Sequence, residues 1–426
     1  MNRMLWFWLV IGWIGFAILP WYQQEYGFWT LEWLFDGYPM YGDYSPAVLQ
    51  VILHQKIWLL PIAAFLLAPL VLAGRGRTHP HYARILIASG LGGLVWLVGQ
   101  GFVIGISGWG FGGLATIFGP LDIRQYGLGY GAMLTSACLL VILCTGLAAA
   151  GAMRGDVFVT TAIGTVIALV GLFVFFPVAR ILLGSFVDID GTLSGAAFFR
   201  NFLDDSVWGI GCLLGGACGV AWNTAFLAVL TAVSTTLLGL SFALVVTRTG
   251  FRFKKSLRVL TVLPIITPPF VIGLALILLF GRSGAVTQFF ADLLGVEAGR
   301  WLYGLPGIWL AQTLSFTPIS FLVLIGVVEG VSPSMEEASQ TLRAGRWQTF
   351  VRVSLPLMRP GLANAFLLSF IESMADFGNP MVLGGNFDVL STEIFFAIVG
   401  AQNDAGRAAV LAMVLLFFPL SAFAAQ

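Results

Sequence analysis

The residues of this chain whose types and spacing could do chemistry gather near its C-terminal end, in two groups. The first lies in the polar stretch 331–361: Glu336 and Glu337, then Ala338, Ser339, Arg343, Gly345, Arg346, Arg352, Leu355 and Pro356. Ser332 or Ser334 can cap a helix there, and the two glutamates then fall in or near its first turn, where the helix dipole favours acids. Such a helix, set between long apolar runs, suits docking onto another protein rather than catalysis. The second group is Glu372 and Asp376, four residues apart near the end of an apolar run, with Asn379 beyond them. On a continuous helix both carboxylates share a face and could receive a cation; the alternative is that they mark the aqueous end of the helix and help form a gate. Pro268 and Pro269, with Pro264, interrupt another apolar run, and broken membrane helices often line a solute pathway.

Other chemistries find no residues to carry them. A nucleotide-binding P-loop needs Gly-Lys followed by Ser or Thr, and none of Lys56, Lys254 and Lys255 follows a glycine. There is no G-x-S-x-G, H-E-x-x-H or C-x-x-C. His79-Pro80-His81 reads as a solvated turn in a basic loop. The cysteines Cys138, Cys144, Cys212 and Cys218 sit in apolar surroundings and read as small buried hydrophobes. Asp188-Ile189-Asp190-Gly191 looks like the start of a calcium loop but lacks the remaining ligands, so it reads as a turn. No catalytic residue, firm metal site or covalently bound cofactor is expected.

The elements that must position these residues are membrane helices. The 426-residue chain is 58% hydrophobic and 10% charged, against about 25% charged in soluble domains, and its mean hydropathy is +0.93. About ten stretches approach the ~20 apolar residues that a span needs: 4–20, 57–73, 85–106, 129–151, 158–183, 217–247, 259–281, 304–328, 354–375 and 406–426. The first reads as a retained signal-anchor helix, and 284–301 as a short interfacial helix. With the N-terminus in the cytosol, 14 of the 21 Lys and Arg face the cytosol and 7 face out; the opposite orientation inverts this bias. Sixteen of the 20 acids fall on the outer side. The expected fold class is all-α, a polytopic integral membrane bundle. The expected divisions are an N-terminal accessory bundle over 1–183, an extracytoplasmic linker over 184–216, and a module over 217–426 with a cytosolic helix at about 332–352.

The polar stretch resembles the signature of the membrane subunits of binding-protein-dependent ABC importers: Glu-Ala-Ala, about three residues, Gly, about nine more, then Ile-x-Leu-Pro. Here it reads Glu337-Ala338-Ser339, Arg343 at the family's Gly, and Val353-Ser354-Leu355-Pro356, so the Gly is displaced to Gly345 or lost. Residues 219–426 resemble one whole permease (MetI-like) module of the ferric-iron type, most typically at Asp376-Phe377-Gly378 and at Asp388-Val389-Leu390-Ser391-Thr392. The resemblance implies a cytosolic ABC ATPase that uses ATP and docks on the polar helix, with Glu337 as anchor, and a periplasmic solute-binding protein. It also implies a bacterial inner-membrane location. Related modules move phosphonate, polyamine, sulfate or thiamine. A working importer needs two such helices and this chain has one. A second module is therefore expected, as another copy, a different permease or a C-terminal half. The reading of another class is an ion-gradient-driven secondary transporter, which would call for inverted repeats and charges at mid-membrane depth.

Overall fold

A computed structural model describes residues 3–22, 32–35, 37–42, 44–73, 79–105, 108–109, 112–119, 121, 127–186, 194–214, 216–295, 299–400 and 404–426. Asp188-Ile189-Asp190-Gly191 lies outside the described residues. The described chain is helical apart from a two-residue antiparallel ribbon, Ile104–Gly105 with Gly108–Trp109. Among the described residues, seven helical stretches are long and apolar enough to cross a membrane: Tyr82–Val103, Tyr130–Ala149, Val157–Gly184, Val220–Arg248, Pro269–Leu294 (two helices, Pro269–Phe280 and Ala285–Leu294), Leu305–Gly330 and Ala405–Ala425. Arg3–Ala17 and Ile57–Leu72 are apolar but shorter. Leu355–Ala375 has the length of a span with a more polar sequence.

The chain divides into two compact units, Met1–Arg180 and Ile181–Gln426. In the first, Arg3–Ala17 and Tyr82–Val103 pack on Tyr130–Ala149 around Leu9, Phe16, Leu86, Leu139 and Ile142. In the second, Val220–Arg248, Leu305–Gly330 and Leu355–Ala375 pack together as a three-helix centre. The first two of these cross closely at Gly239: a Cβ there would stand 2.9 Å from the backbone of Ser320 and Phe321. Around this centre lie Pro269–Phe280, Gly378–Leu383, Leu390–Val399 and Ala405–Ala425.

Two expectations change, and the proline interruption takes a definite form. The segment 184–216, read as a linker, belongs to the second unit where it is described. Val207 is buried with Val220, Leu390, Leu411 and Val414, and Phe202 and Trp208 pack against that cluster. Arg407 also donates from Nη2 to Ser206 Oγ at 3.1 Å. Cys212 and Cys218, read as buried thiols, form a disulfide; Cys138 and Cys144 are free and buried. The apolar run 259–281 is broken at its prolines, as their positions imply. Lys254–Val262 passes through a tight 3₁₀ turn, Leu263–Ile266, and a new helix starts at Pro269. The cause is local: Pro268 and Pro269 have no N–H to continue the ladder, and each forces its predecessor out of helical geometry. Thr267 is extended at φ −91°, ψ 139°.

Candidate functional site

The polar stretch lies at the end of the second unit where Val220–Arg248 and Leu305–Gly330 both terminate. The single helix expected at about 332–352 is two helices with a turn between them. The first, Pro333–Thr341, starts with Pro333 at a position that needs no N–H and carries Glu336 in its first turn. It ends in a two-bond terminator: Arg343 N–H donates to the Gln340 carbonyl at 2.9 Å, and Ala344 N–H to the Ser339 carbonyl at 3.1 Å. This motif requires a left-handed residue between, usually glycine. Arg343 fills it at φ +61°. The position where the importer signature has Gly is thus the left-handed cap, and here an arginine adopts that conformation. Gly345 does not take over the role. It is extended at φ −68°, ψ 159° and precedes Arg346–Thr349, with its N–H bonded to Gln348 Oε1 at 3.1 Å.

From Arg346–Thr349 the chain runs through a wide π-type turn, Phe350–Ser354, into Leu355–Ala375, with Leu355 N–H donating to the Phe350 carbonyl. Pro356 follows with no N–H to offer the preceding turn. The Leu-Pro pair therefore marks a helix junction whose hydrogen-bond ladder is already loosened.

The two glutamates have different environments. Glu337 is exposed. Glu336 turns inward: its Oε1 accepts from Ser354 Oγ at 2.8 Å and lies 3.3 Å from Arg248 Nη2. Ser339, where the signature has a second Ala, bonds through its hydroxyl to that of Thr349 at 2.5 Å. Ala338 is exposed. Leu342 and Trp347 are 85% and 74% exposed, and Arg343 and Arg346 beside them are exposed as well.

Glu372 and Asp376 differ in environment. Leu355–Ala375 stops before Asp376, whose backbone is extended at φ −68°, ψ 117°. Glu372 is exposed, whereas Asp376 is buried, with 8% of its surface accessible. Asp376 Oδ2 accepts from Gln312 Nε2 at 3.0 Å and Asn379 Nδ2 at 2.9 Å, and Oδ1 accepts from the Asn379 N–H at 3.3 Å. Gln312 Oε1 in turn accepts from Thr231 Oγ1 at 3.0 Å and Ser373 Oγ at 2.7 Å. Ser391 Oγ donates to the Asp376 carbonyl at 2.8 Å. The two stretches most typical of the permease module, around Asp376 and around Leu390, are therefore joined directly. Asp376 is the hub of a buried network that ties the three-helix centre to Gly378–Leu383 and Leu390–Val399. Both carboxylate oxygens accept hydrogen bonds from within the protein.

Asn379 also reaches the broken helix. Its Oδ1 has no hydrogen-bond partner and faces Gly273, where a Cβ would approach it to 2.9 Å. Pro268 and Pro269 are exposed at the start of that helix. Among the described residues, no group of three or more His, Cys, Asp or Glu side chains is placed to hold a metal ion.

Sequence reasoning missed Gln312, Thr231, Ser373, Arg248 and Ser354. Gln312 carried a signal, since an amide inside a long apolar span must find partners within the protein. Arg248, at the end of an apolar run, reads from sequence only as one of the basic residues that set orientation.

The fold and site define a multi-pass helical membrane protein with a broken helix, a buried polar hub and a polar helix set between two long helices. A profile of the family described as "Binding-protein-dependent transport system inner membrane component" matches residues 235–425. The chain is 35% identical over 420 residues to "Ferric transport system permease protein FbpB" of Actinobacillus pleuropneumoniae, covering 99% of this chain and 55% of that one. It is 30% identical over 197 residues to "Probable sulfate transport system permease protein cysT" of a Helicosporidium species, covering 46% of this chain and 72% of that one. In fold it is similar to a chain of a bacterial ABC transporter involved in alginate import. That match has a TM-score of 0.53 and 18% identity, and covers 64% of this chain and 95% of that one. The chain belongs to the binding-protein-dependent transport system inner membrane component family. It spans about half the length of the ferric-transport relatives it matches.

Proposed function

We propose that this chain is a transmembrane permease component of an ATP-binding-cassette importer and forms part of a pathway for ferric iron. The observation that carries the solute is the extent of the alignment. Similarity to the ferric-transport permease runs through both units, over 420 residues, whereas similarity to the sulfate permease covers 46% of the chain. The accessory unit Met1–Arg180 is thus part of what is shared with the ferric relative.

In this reading the chain lies in the bacterial cytoplasmic membrane with its N-terminus in the cytosol. The disulfide supports that orientation. Val220–Arg248 begins just after Cys218 and ends beside the polar helix, so the disulfide and the polar helix lie at opposite ends of a span. Disulfides persist in oxidising compartments, which supports an outward-facing Cys212–Cys218 and a cytosolic Pro333–Thr341. The polar helix then meets a separate ABC ATPase, which binds and hydrolyses ATP. Exposed Glu337 offers it a charge, and exposed Leu342 and Trp347 offer apolar anchors beside Arg343 and Arg346, a composition typical of protein contacts. On the other face a periplasmic binding protein delivers the solute, and a second permease module (a copy, a different chain or a C-terminal half) completes the pathway. Nucleotide-driven closure of the ATPase would push the polar helix against the bundle. Pro268, Pro269 and Asn379 mark the broken-helix region where the pathway would open.

Uptake tests the reading. The complete transporter is reconstituted in proteoliposomes with its binding protein, and ferric iron is set against sulfate, phosphonate, polyamine and thiamine. ATP-dependent uptake of ferric iron above the others is the expected result. Preference for another solute would overturn the iron assignment, and uptake independent of ATP but driven by an ion gradient would overturn the importer.

A further inference from the structure

We infer that Arg248 is the positioning residue that passes motion of the polar helix into the membrane bundle. The inference rests on the importer reading above and adds the route of transmission. Arg248 is the last residue of the 29-residue helix Val220–Arg248. Its Nη2 donates to the carbonyls of Val328 at 3.1 Å and Val331 at 2.9 Å. These lie at the C-terminus of Leu305–Gly330, where helix carbonyls lack partners of their own and a cation is favoured by the dipole. The same nitrogen lies 3.3 Å from Glu336 Oε1, within the first turn of Pro333–Thr341. That oxygen also accepts from Ser354 Oγ at the junction into Leu355–Ala375. One guanidinium nitrogen and one carboxylate oxygen thus join the polar helix to all three helices of the central bundle.

The geometry favours transmission over simple decoration of a surface. The side chains of Arg248 and Glu336 are 27% and 21% exposed, so the pair is partly shielded from solvent. Glu336 sits on the same short helix as Glu337, one residue away but turned inward. A load applied at the exposed face therefore meets the clasp without passing through a flexible loop. Toward the opposite end of that helix Ser339 bonds to Thr349 and the chain turns at Arg343. The clasp is then the pivot.

The test uses the complete transporter in proteoliposomes, reading solute moved per ATP hydrolysed together with recovery of the ATPase in the purified complex. Glu336→Gln keeps an acceptor for Ser354 but removes the charge. Arg248→Met removes the carbonyl caps as well, and Arg248→Lys keeps a point charge with three donors. Transport per ATP falls about tenfold in Glu336→Gln and further in Arg248→Met, while ATP hydrolysis and ATPase recovery stay near wild type. Arg248→Lys restores a substantial part of the ratio. A merely structural role would lower the amount of complex and leave the ratio in the surviving complex unchanged, and that outcome overturns the inference. Should Arg248→Met fail to assemble, Glu336→Gln and Arg248→Lys decide by the same ratio. A wild-type complex with no ATP-driven uptake would instead overturn the importer reading itself.

Discussion

Arg343 stands in a backbone conformation that costs an L-residue about 1–2 kcal/mol and costs glycine almost nothing. It is held there because two hydrogen bonds close the end of Pro333–Thr341 around it. Arg343→Gly is therefore expected to stabilise that turn by about 1 kcal/mol, read as slower amide exchange over residues 338–345; faster exchange there would contradict the account. Asp376 gives the complementary case. Its carboxylate receives donors from Gln312 and Asn379, and Asp376→Asn would set an amide N–H₂ against them. That change is expected to cost about 2 kcal/mol or more in stability, measured by thermal unfolding in detergent. A variant as stable as wild type would show that the network is not a hub. The exposed Glu372 is expected to tolerate the corresponding change to Gln. At this scale the sequence was legible only in part. Arg343 stood out as the wrong residue at a glycine position, but its conformation could not be read from type alone. Glu372 and Asp376, four residues apart, differ in burial, which spacing alone does not reveal. Gln312 and Asp376 are 64 residues apart in sequence, and no local pattern connects them.

Among the elements, the most constrained contact is the crossing of Val220–Arg248 with Leu305–Gly330 at Gly239. Membrane helices associate largely by packing and benefit from small residues at close contacts. Gly239→Ala is expected to destabilise the bundle by about 1–3 kcal/mol through overpacking, seen as a lower unfolding temperature in detergent; an unchanged temperature would mean that the helices can separate there without cost. Most of these elements were readable in advance, because long apolar runs in a chain with 10% charge have few alternatives to spanning helices. The break at Pro268-Pro269 was readable for the same reason that it occurs, namely two missing N–H groups. The polar helix was legible as a helix but not in its length. The cause of its early stop, a left-handed arginine, is a tertiary choice that propensity does not encode. The disulfide was not legible. Cys212 and Cys218 lie in a glycine-rich apolar stretch that looks like the surroundings of the two buried free thiols.

For the whole molecule the central matter is orientation and what meets each face. If the disulfide end faces outward, a membrane-impermeant maleimide added to intact spheroplasts labels Cys212 and Cys218 only after an impermeant reductant has been supplied from outside. Cys138 and Cys144 are buried and are expected to stay silent. Labelling that requires permeabilised membranes would invert the topology and take the polar helix out of the cytosol. The sequence divides the chain over 184–216, whereas packing divides it into Met1–Arg180 and Ile181–Gln426. The assignment of 194–214 to the second unit was not legible, because it depends on Phe202, Val207 and Trp208 finding partners more than 170 residues away in Leu390, Leu411 and Val414. The central claim is that the polar helix is the place where an ATPase docks. Glu337 offers the most direct measurement, since it is exposed. With the wild-type chain, the cytosolic ATPase should co-purify in detergent. With Glu337→Arg, recovery of the ATPase should fall at least about tenfold, while the amount and unfolding temperature of the permease stay the same. ATPase recovery undiminished by that reversal of charge would contradict the account.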